Sequence, residues 1–297
     1  MAKMKVWVSA MRLRTLPLSL AGIIWGSGIA AAEGRFDWRI FVLAVLTAVS
    51  YQILSNLAND YGDGLKGTDA ERVGPQRVIQ SGLISHGQMK KALVWNVVIS
   101  VVLTVLLLKT AFPAAGKMFW FYLVLGLFAI WAAMKYTVGK GAYGYMGLGD
   151  LFVFIFFGLV SVAGVYYLYT GQLDQMVFLP AAAVGLLSVA VLNINNMRDM
   201  ENDRKAGKMT LAVKLGPASA MKYQRALITL SFLLTVYFTV ERLYSPWQWL
   251  AVAVYIPLAV HLFKLNPERP ATYNSALKQV SLLTFLLSLL YAVTINS

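Results

Sequence analysis

The sequence predicts an all-α, multi-pass membrane protein with nine transmembrane helices, arranged as two related halves around a central cavity. Of its 297 residues, 59% are hydrophobic and only 13% are charged, whereas about 25% are charged in soluble domains. The apolar residues fall into stretches of about 20, the length that a helix needs to cross a bilayer. Two similar polar clusters each follow one of these stretches.

The predicted helices follow one another along the whole chain. A basic, amphipathic segment at about residues 3–14 predicts an interfacial helix, because no small-residue cleavage site is visible and many spans follow. Nine apolar stretches predict the spans, at 15–33, 38–58, 91–110, 118–135, 148–170, 175–195, 221–240, 247–265 and 276–295. Interfacial aromatic side chains mark several ends, namely Trp38, Trp120, Trp247 and Trp249.

The basic residues indicate the orientation in the membrane. With the N-terminus inside and nine spans, only five of the 26 Lys and Arg residues lie in outer segments: Arg35, Arg39, Lys109, Lys117 and Arg242. Because positive residues concentrate in cytoplasmic loops, we expect the N-terminus inside and the C-terminus outside. The net charge of +13 is explained by this bias and by cytoplasmic loops that face anionic membrane lipid. No nucleic-acid partner is therefore expected.

Composition also excludes several kinds of site. The chain has no cysteine, which excludes thiol nucleophiles, iron–sulfur clusters and disulfides. His86 and His261 are far apart in the sequence, which argues against a histidine-based metal site. Two long inner loops, at about 59–90 and 196–220, are where function is expected.

The first polar cluster begins where the second span ends. Asn56, Asp60 and Asp63 are spaced by four and three residues, so a helix that continues through them places them on one face. Gly62 and Gly64 are expected to end this helix soon afterwards.

The second polar cluster follows the sixth span with similar spacing. Asn195, Asp199 and Asp203 are separated by four residues each. Four spans lie between the clusters, so both are expected on the inner side. This arrangement indicates two related halves that face each other across a cavity.

The clusters predict a site for Mg²⁺ and a diphosphate. Carboxylates held close together repel one another without a cation, and Mg²⁺ is usually held by a few carboxylates and substrate phosphate. Basic side chains that suit a diphosphate follow each cluster; they are Lys66, Arg72, Arg77, Arg204, Lys205 and Lys208. The alternative is that these are ordinary loop charges beside helix ends.

Five stretches resemble one family of membrane enzymes. They are "RTLPLS" (Arg14–Ser19), "NLANDYGDGLKGTD" (Asn56–Asp69), "RVGPQR" (Arg72–Arg77), "YGYMGLGDLFVFIFFG" (Tyr143–Gly158) and "NNMRDMENDRKAGKMTLAVKLG" (Asn195–Gly216). They are similar to the MenA family, the 1,4-dihydroxy-2-naphthoate polyprenyltransferases of the UbiA superfamily. The likeness runs from about residue 10 to 216, and the last third matches only in hydropathy.

The resemblance implies a single membrane domain over residues 1–297, in the bacterial cytoplasmic membrane. It implies Mg²⁺-dependent transfer of a polyprenyl group from polyprenyl diphosphate to 1,4-dihydroxy-2-naphthoate. Loss of CO₂ and diphosphate then gives demethylmenaquinol, a step of menaquinone biosynthesis. The implied metal-binding and catalytic residues are Asp60, Asp63, Asp199 and Asp203, and the expected diphosphate ligands are Asn56, Lys66, Arg72, Arg77, Asn195 and Lys208.

The first motif departs from the superfamily pattern NDxxDxxxD. Asn59, Asp60 and Asp63 fit it, but Gly67 occupies the third aspartate position and Asp69 follows two residues later. Asp69 is therefore a further candidate metal ligand. Either Asp63 or Asp69 can complete the set of metal ligands from the first cluster.

The acceptor site is expected in the inner loop between spans 4 and 5. Tyr136 and Tyr143 are the candidate acceptor-binding residues, with Tyr145 and Asp150 beside them. The alternative for both tyrosines is an interfacial aromatic belt. Arg14 either meets the acceptor carboxylate or serves as a positive-inside anchor.

Three other functions are alternatives for a membrane protein with many spans. A secondary transporter places ionisable groups near the bilayer midplane, whereas these carboxylates cluster on one side. A phosphatidyl-alcohol transferase pattern begins DG-x2-AR, and the stretch after Asp63 has Gly67 and Thr68 instead of Ala and Arg. A superfamily member that acts on another aromatic acceptor is the nearest alternative.

Overall fold

A computed structural model describes residues 2–66, 78–265 and 272–297, and in these ranges it is helical without strands. The helices are α1 (Ala2–Met11), α2 (Leu16–Ala32), α3 (Trp38–Lys66), α4 (His86–Ala111), α5 (Lys117–Lys135), α6 (Gly149–Val153), α7 (Val165–Thr170), α8 (Phe178–Arg198), α9 (Met200–Lys205), α10 (Leu211–Glu241), α11 (Gln248–Val252), α12 (Tyr255–Lys264) and α13 (Thr272–Thr294). A π-helical segment, Phe154–Gly164, joins α6 to α7.

The predicted fold class is confirmed. Within the described ranges, 8 helical stretches are long and apolar enough to cross a membrane. The predicted eighth span, 247–265, is the shorter apolar stretch Gln248–Leu262, which is interrupted between α11 and α12. The count of nine is therefore approximate. The equivalence of the two halves stays a prediction.

The C-terminal end of α3 differs from the prediction. The helix does not end at Gly62 or Gly64 but continues to Lys66. A Cβ on Gly62 would lie 2.8 Å from the backbone carbonyl carbon of Thr137, and one on Gly64 would lie 2.8 Å from the Ile79 side chain. These glycines therefore allow close packing inside a helix, at a helix-propensity cost of about 1 kcal/mol each.

The second cluster lies across a helix break rather than on one continuous helix. Helix α8 ends at Arg198, Asp199 caps it, and α9 begins at Met200. The Asp199 amide still donates to the Asn195 carbonyl at 3.1 Å. The Asp203 amide donates to the Asp199 carbonyl at 2.8 Å. The expected helical spacing is thus largely kept across the break.

Helix α8 is the centre of the larger core. It packs against α10, α13, α2 and the π-helical segment. In this core the Trp25 and Tyr291 rings stack with centroids 4.4 Å apart. A second core cluster joins α3, α4 and α5, and Ala10 of α1 is buried in it. The predicted interfacial helix, α1, therefore packs against α3.

Candidate active site

Both acidic clusters line one cavity of about 1150 Å³. Helix α3 contributes Asp60 and Asp63, and the α8–α9 junction contributes Asp199 and Asp203. All four carboxylates are buried. The structure therefore brings together the two clusters that the sequence separates by four spans.

The rest of the cavity wall is largely apolar. Its side chains include Ile23 in the middle of α2 and Leu107 and Leu108 near the C-terminal end of α4. Phe156 and Phe157 come from the π-helical segment, a rare geometry that is frequent at functional sites. The cavity thus combines a charged region with a region suited to a hydrocarbon chain.

Asp60 is held by the N-terminal segment of the chain. Its side chain is 2% exposed and forms an ion pair with the Arg12 guanidinium. Arg12 has a left-handed backbone (φ 49°) in the turn after α1. Asn56, one turn before Asp60, donates to the Met11 carbonyl at 2.9 Å and to the Thr15 hydroxyl at 3.1 Å. In the sequence Arg12 counts only toward the positive charge of the inner segments, and no local pattern indicates this contact with Asp60.

Asp63 is tied to the loop between α5 and α6. The Tyr145 hydroxyl donates to its Oδ1 at 3.0 Å. The Tyr145 carbonyl accepts from the Met209 amide at 3.0 Å. Lys208 lies with its Nζ 5.8 Å from the centre of the Tyr145 ring. Tyr145 therefore links the first acidic cluster to the turn after α9.

Asp199 forms a bidentate ion pair with the residue before it. Arg198 donates from Nε to Oδ1 and from Nη2 to Oδ2, both at 2.7 Å. The Arg198 guanidinium also donates hydrogen bonds to Asn195 Oδ1 at 2.8 Å and to Asn274 Oδ1 at 2.9 Å. Arg198 is also buried, and it joins the second cluster to α13. The sequence indicates this role through spacing: Arg198 lies three residues after Asn195, so a helix places both on one face.

Asp203 faces Lys208 across the turn that follows α9. The Lys208 Nζ lies 3.2 Å from Oδ1 of Asp203, while Oδ2 has no hydrogen-bond partner in the described part of the chain. Burial raises the pKa of the Asp203 carboxyl above its usual value, although Lys208 opposes this shift. Burial lowers the pKa of Lys208, but attraction to Asp203 and Asp63 outweighs it and raises that pKa.

The side chains present fit a hard divalent cation in their chemistry. Four buried carboxylates line the cavity, and Oδ2 of Asp203 is an unpartnered anionic oxygen, which suits Mg²⁺. In the described ranges, however, no three acidic or histidine side chains already converge as a metal-binding group. Arg12, Arg198 and Lys208 supply positive charge beside three of the carboxylates instead.

Four predicted site positions fall where the structure says nothing about the side chain. Asp69, Arg72 and Arg77 lie outside the described residues, as does the Lys66 side chain at the end of α3. Their metal and diphosphate roles stay predictions, and the choice between Asp63 and Asp69 stays open.

The two candidate acceptor-binding tyrosines lie side by side on the cavity wall. Their ring centroids are 5.3 Å apart in an edge-on arrangement. Tyr143 stacks on Phe152 at 4.0 Å and donates to the Ala132 carbonyl at 2.9 Å. Burial raises the pKa of both phenols, so both remain protonated at neutral pH. Asp150 instead accepts from the Tyr223 hydroxyl at 3.1 Å and is absent from the cavity wall formed by the described residues.

Comparison with known proteins identifies a family match over most of the chain. The model of the UbiA prenyltransferase family matches residues 19–290. A 1,4-dihydroxy-2-naphthoate octaprenyltransferase of Haemophilus influenzae is 42% identical over 295 residues, covering 98% of this chain and 96% of that protein. The enzyme of the same name from Escherichia coli is 44% identical over 250 residues, covering 84% and 81%.

Solved structures with the same fold are more distant in sequence. A UbiA homologue from Aeropyrum pernix without ligand gives a TM-score of 0.67 at 16% identity, covering 96% of this chain and 97% of that one. A UbiA homologue from Archaeoglobus fulgidus bound to GPP and Mg²⁺ gives a TM-score of 0.62 at 15% identity, covering 96% and 99%. At such identities the likeness is one of fold.

Proposed function

Because this chain belongs to the UbiA prenyltransferase family and is a membrane prenyltransferase, we propose that it prenylates 1,4-dihydroxy-2-naphthoate. The donor is a polyprenyl diphosphate, and the products are demethylmenaquinol, CO₂ and diphosphate. The observation that carries this proposal is the single cavity in which two buried carboxylate clusters meet a largely apolar wall. Relatives that share 42–44% identity bear the name of this activity.

The charged region of the cavity would bind the diphosphate. Lys208 is an ammonium that already faces this region, and Asn56 and Asn195 hold the two clusters in place by hydrogen bonds. Asp60, Asp63, Asp199 and Asp203 would hold Mg²⁺. When bound, that ion neutralises charge on the leaving diphosphate as a Lewis acid. Lys66, Arg72 and Arg77 are proposed to assist.

The apolar region would bind the polyprenyl chain and exclude water. As the allylic C–O bond breaks, the bonding electrons leave with the diphosphate. An electron-rich ring carbon of the acceptor then forms the new C–C bond, and loss of the carboxyl group as CO₂ returns electrons to the ring. A wall of Phe156, Phe157 and aliphatic side chains limits competing capture of the cation by water.

The acceptor ring is proposed to lie against Tyr136 and Tyr143. Tyr143 is fixed by its stacking and hydrogen bond, so it presents a rigid aromatic surface. We place the charged region on the cytoplasmic side of a bacterial membrane, in a single domain over residues 1–297. The names of the relatives specify an octaprenyl donor, whereas the proposal here extends to polyprenyl donors in general.

The decisive experiment is an assay of the purified chain in lipid. It is supplied with a polyprenyl diphosphate and, in separate reactions, dihydroxynaphthoate, 4-hydroxybenzoate or homogentisate, with Mg²⁺ or with EDTA. We expect prenylated product and CO₂ from dihydroxynaphthoate alone, and only with Mg²⁺. Prenylation of 4-hydroxybenzoate in preference to dihydroxynaphthoate would overturn the acceptor, and undiminished turnover in EDTA would overturn the metal requirement.

A further inference from the structure

Helix α13 presents a row of hydrogen-bond donors to the cavity. Asn274, Lys278 and Ser281 all line it, and their spacing of four and three residues places them on one helical face. The remainder of the span, Leu282–Thr294, carries no charged residue. This row, which we call the α13 donor face, belongs to neither acidic cluster and lies in the third of the chain without a recognisable motif.

Each member of the α13 donor face retains donor capacity. Asn274 uses Oδ1 to accept from Arg198 at 2.9 Å, and its amide nitrogen has no partner in the described part of the chain. Ser281 is 7% exposed, and its hydroxyl likewise makes no hydrogen bond to any described residue. Asn274 and Lys278 are exposed and line the cavity, whereas a buried hydroxyl such as that of Ser281 is nearly always hydrogen-bonded, so a ligand atom is the expected partner of Ser281.

Lys278 differs from three other cations of the cavity, whose wall also includes Arg14. Arg12, Arg198 and Lys208 each form an ion pair with an aspartate of the clusters. Lys278 lines the same cavity but forms no ion pair with any described residue. Its charge is therefore available for a ligand without first breaking an internal pair.

A carboxylate matches this face better than a diphosphate does. The diphosphate carries several charges and is expected between the acidic clusters, with the divalent ion. The α13 donor face instead offers one positive charge beside a neutral amide and a hydroxyl, on a different helix. A charge-assisted hydrogen bond from an ammonium and two neutral donors satisfies a single carboxylate group.

We propose that the α13 donor face binds the carboxylate of the aromatic acceptor, with Lys278 supplying the charge. The identity of the acceptor as an aromatic acid rests on the proposed function. Lys278 stabilises the carboxylate in the bound state, and this stabilisation disappears when CO₂ leaves. Its role is therefore selection and orientation of aromatic acids over neutral phenols. Through Asn274 and Arg198 the face also connects to Asp199.

Binding measurements on the full-length chain in nanodiscs test this proposal. The probes are 1-hydroxy-2-naphthoate, which carries the carboxylate, and 1-naphthol, which lacks it. We expect Lys278→Met to weaken 1-hydroxy-2-naphthoate about tenfold to a hundredfold, the effect of losing a hydrogen bond to a charged group. Binding of 1-naphthol should change less than about twofold. Lys278→Arg should restore most of the affinity.

Matched controls separate this effect from general damage. Lys222 is an exposed lysine of α10 outside the cavity wall, so Lys222→Met should bind both probes as the unmodified chain does. If Lys278→Met does not yield folded protein, Ser281→Ala provides the second variant. It should weaken the carboxylate probe several-fold and spare 1-naphthol, as expected for loss of one hydrogen bond.

Binding of the prenyl substrate distinguishes a carboxylate site from a diphosphate site. Binding of a non-hydrolysable polyprenyl thiolodiphosphate should be unchanged in Lys278→Met. Loss of donor affinity with intact naphthoate affinity would assign Lys278 to the diphosphate and overturn the proposal, as would unchanged binding of every probe. If naphthoate binding depends on Lys278 but dihydroxynaphthoate is not prenylated, the carboxylate site stands and the proposed acceptor of the reaction fails.

Discussion

Arg12 and Asp60 form a buried charge pair that the chain assembles from two distant segments. Asp60 is 2% exposed and its partner is 48 residues earlier. Removing one partner of a fully buried pair costs about 3–5 kcal/mol, because the other charge is left uncompensated. Arg12 is partly exposed, so a smaller cost is expected here.

Arg12→Ala should therefore lower the thermal stability of the metal-free protein. Mg²⁺ should raise the melting temperature of this variant more than that of the unmodified chain, because the ion replaces the missing positive charge. Differential scanning fluorimetry with and without Mg²⁺ measures both effects. Arg39→Ala removes an exposed arginine paired with Asp37 and serves as the control. An equal Mg²⁺ effect in Arg12→Ala and the unmodified chain would contradict this account.

Asp203 and Glu201 provide a matched pair of acidic residues on α9. Asp203 is buried in the cavity with one unpartnered oxygen, whereas Glu201 is exposed. Asp203→Asn should reduce the rate of prenyl transfer by about a hundredfold or more, the typical effect of removing one group that stabilises transition-state charge. Glu201→Gln removes the same charge and should leave the rate unchanged. Similar rates for the two variants would remove Asp203 from the site.

At the scale of single residues, the sequence predicts which side chains share one face of a helix. It does not predict which side chains of different helices contact each other. The spacing of Asn56, Asp60 and Asp63 is sufficient to place them together, because helical periodicity is local. The ion pair of Asp60 with Arg12 depends on how α1 packs against α3, which no local pattern encodes. The contact of Asn274 with Arg198 was missed for the same reason.

At the scale of elements, the close contact between α3 and the segment after α5 gives Gly62 its role. Alanine is favoured over glycine inside a helix by about 1 kcal/mol. At Gly62, however, an added Cβ would lie 2.8 Å from the Thr137 backbone, so the backbones would have to separate.

Gly62→Ala should therefore lower the melting temperature despite the better helix propensity. Gly87 lies in the first turn of α4 with no atom within 4 Å of an added Cβ. Gly87→Ala should leave the melting temperature unchanged or raise it slightly. The two variants are compared by thermal unfolding in the same detergent. Stabilisation by both substitutions would show that the close contact can relax at no cost.

Hydropathy predicts where the long apolar helices lie in the chain better than where they end. The predicted second span stops at residue 58, but α3 continues to Lys66. The predicted third span starts at 91, but α4 starts at His86 behind a capping box of Ser85 and Gln88. Polar helix ends carry no apolar signal, so capping residues mark them instead. The interruption between α11 and α12 has a signal in Pro257, which lacks a backbone N–H and clashes with a helix that continues through the preceding turn.

At the scale of the whole molecule, the side of the C-terminus depends on the stretch Gln248–Leu262. If this shorter stretch crosses the membrane, nine crossings place the termini on opposite sides. If it does not, the 8 longer helices place both termini on the same side. The distribution of basic residues favours nine crossings with the N-terminus inside.

Single cysteines introduced into this cysteine-free chain can report the orientation. We expect a membrane-impermeant maleimide to label Gln172→Cys and Ser297→Cys in intact cells. Leu83→Cys, in the exposed turn before α4, should be labelled only after permeabilisation. Protection of Ser297→Cys together with labelling of Gln172→Cys would exclude nine crossings.

The spatial meeting of the two acidic clusters is the whole-molecule feature that the sequence predicts best. An even number of spans between them requires the same membrane side, and the cavity lined by Asp60 and Asp199 agrees with this. The cavity volume and the contribution of α13 depend on how the helices pack, and the sequence pattern does not contain that information.

The ion pairs of the cavity have an electrical consequence. Because Arg12, Arg198 and Lys208 offset Asp60, Asp199 and Asp203, much of the acidic charge is balanced before any ligand arrives. A magnesium diphosphate also carries little net charge, so loading it would move little charge through the membrane field, which acts at about 2.3 kcal/mol per charge per 100 mV. In proteoliposomes, turnover should therefore stay nearly constant as the transmembrane voltage is varied, and a steep dependence would show that binding is electrogenic.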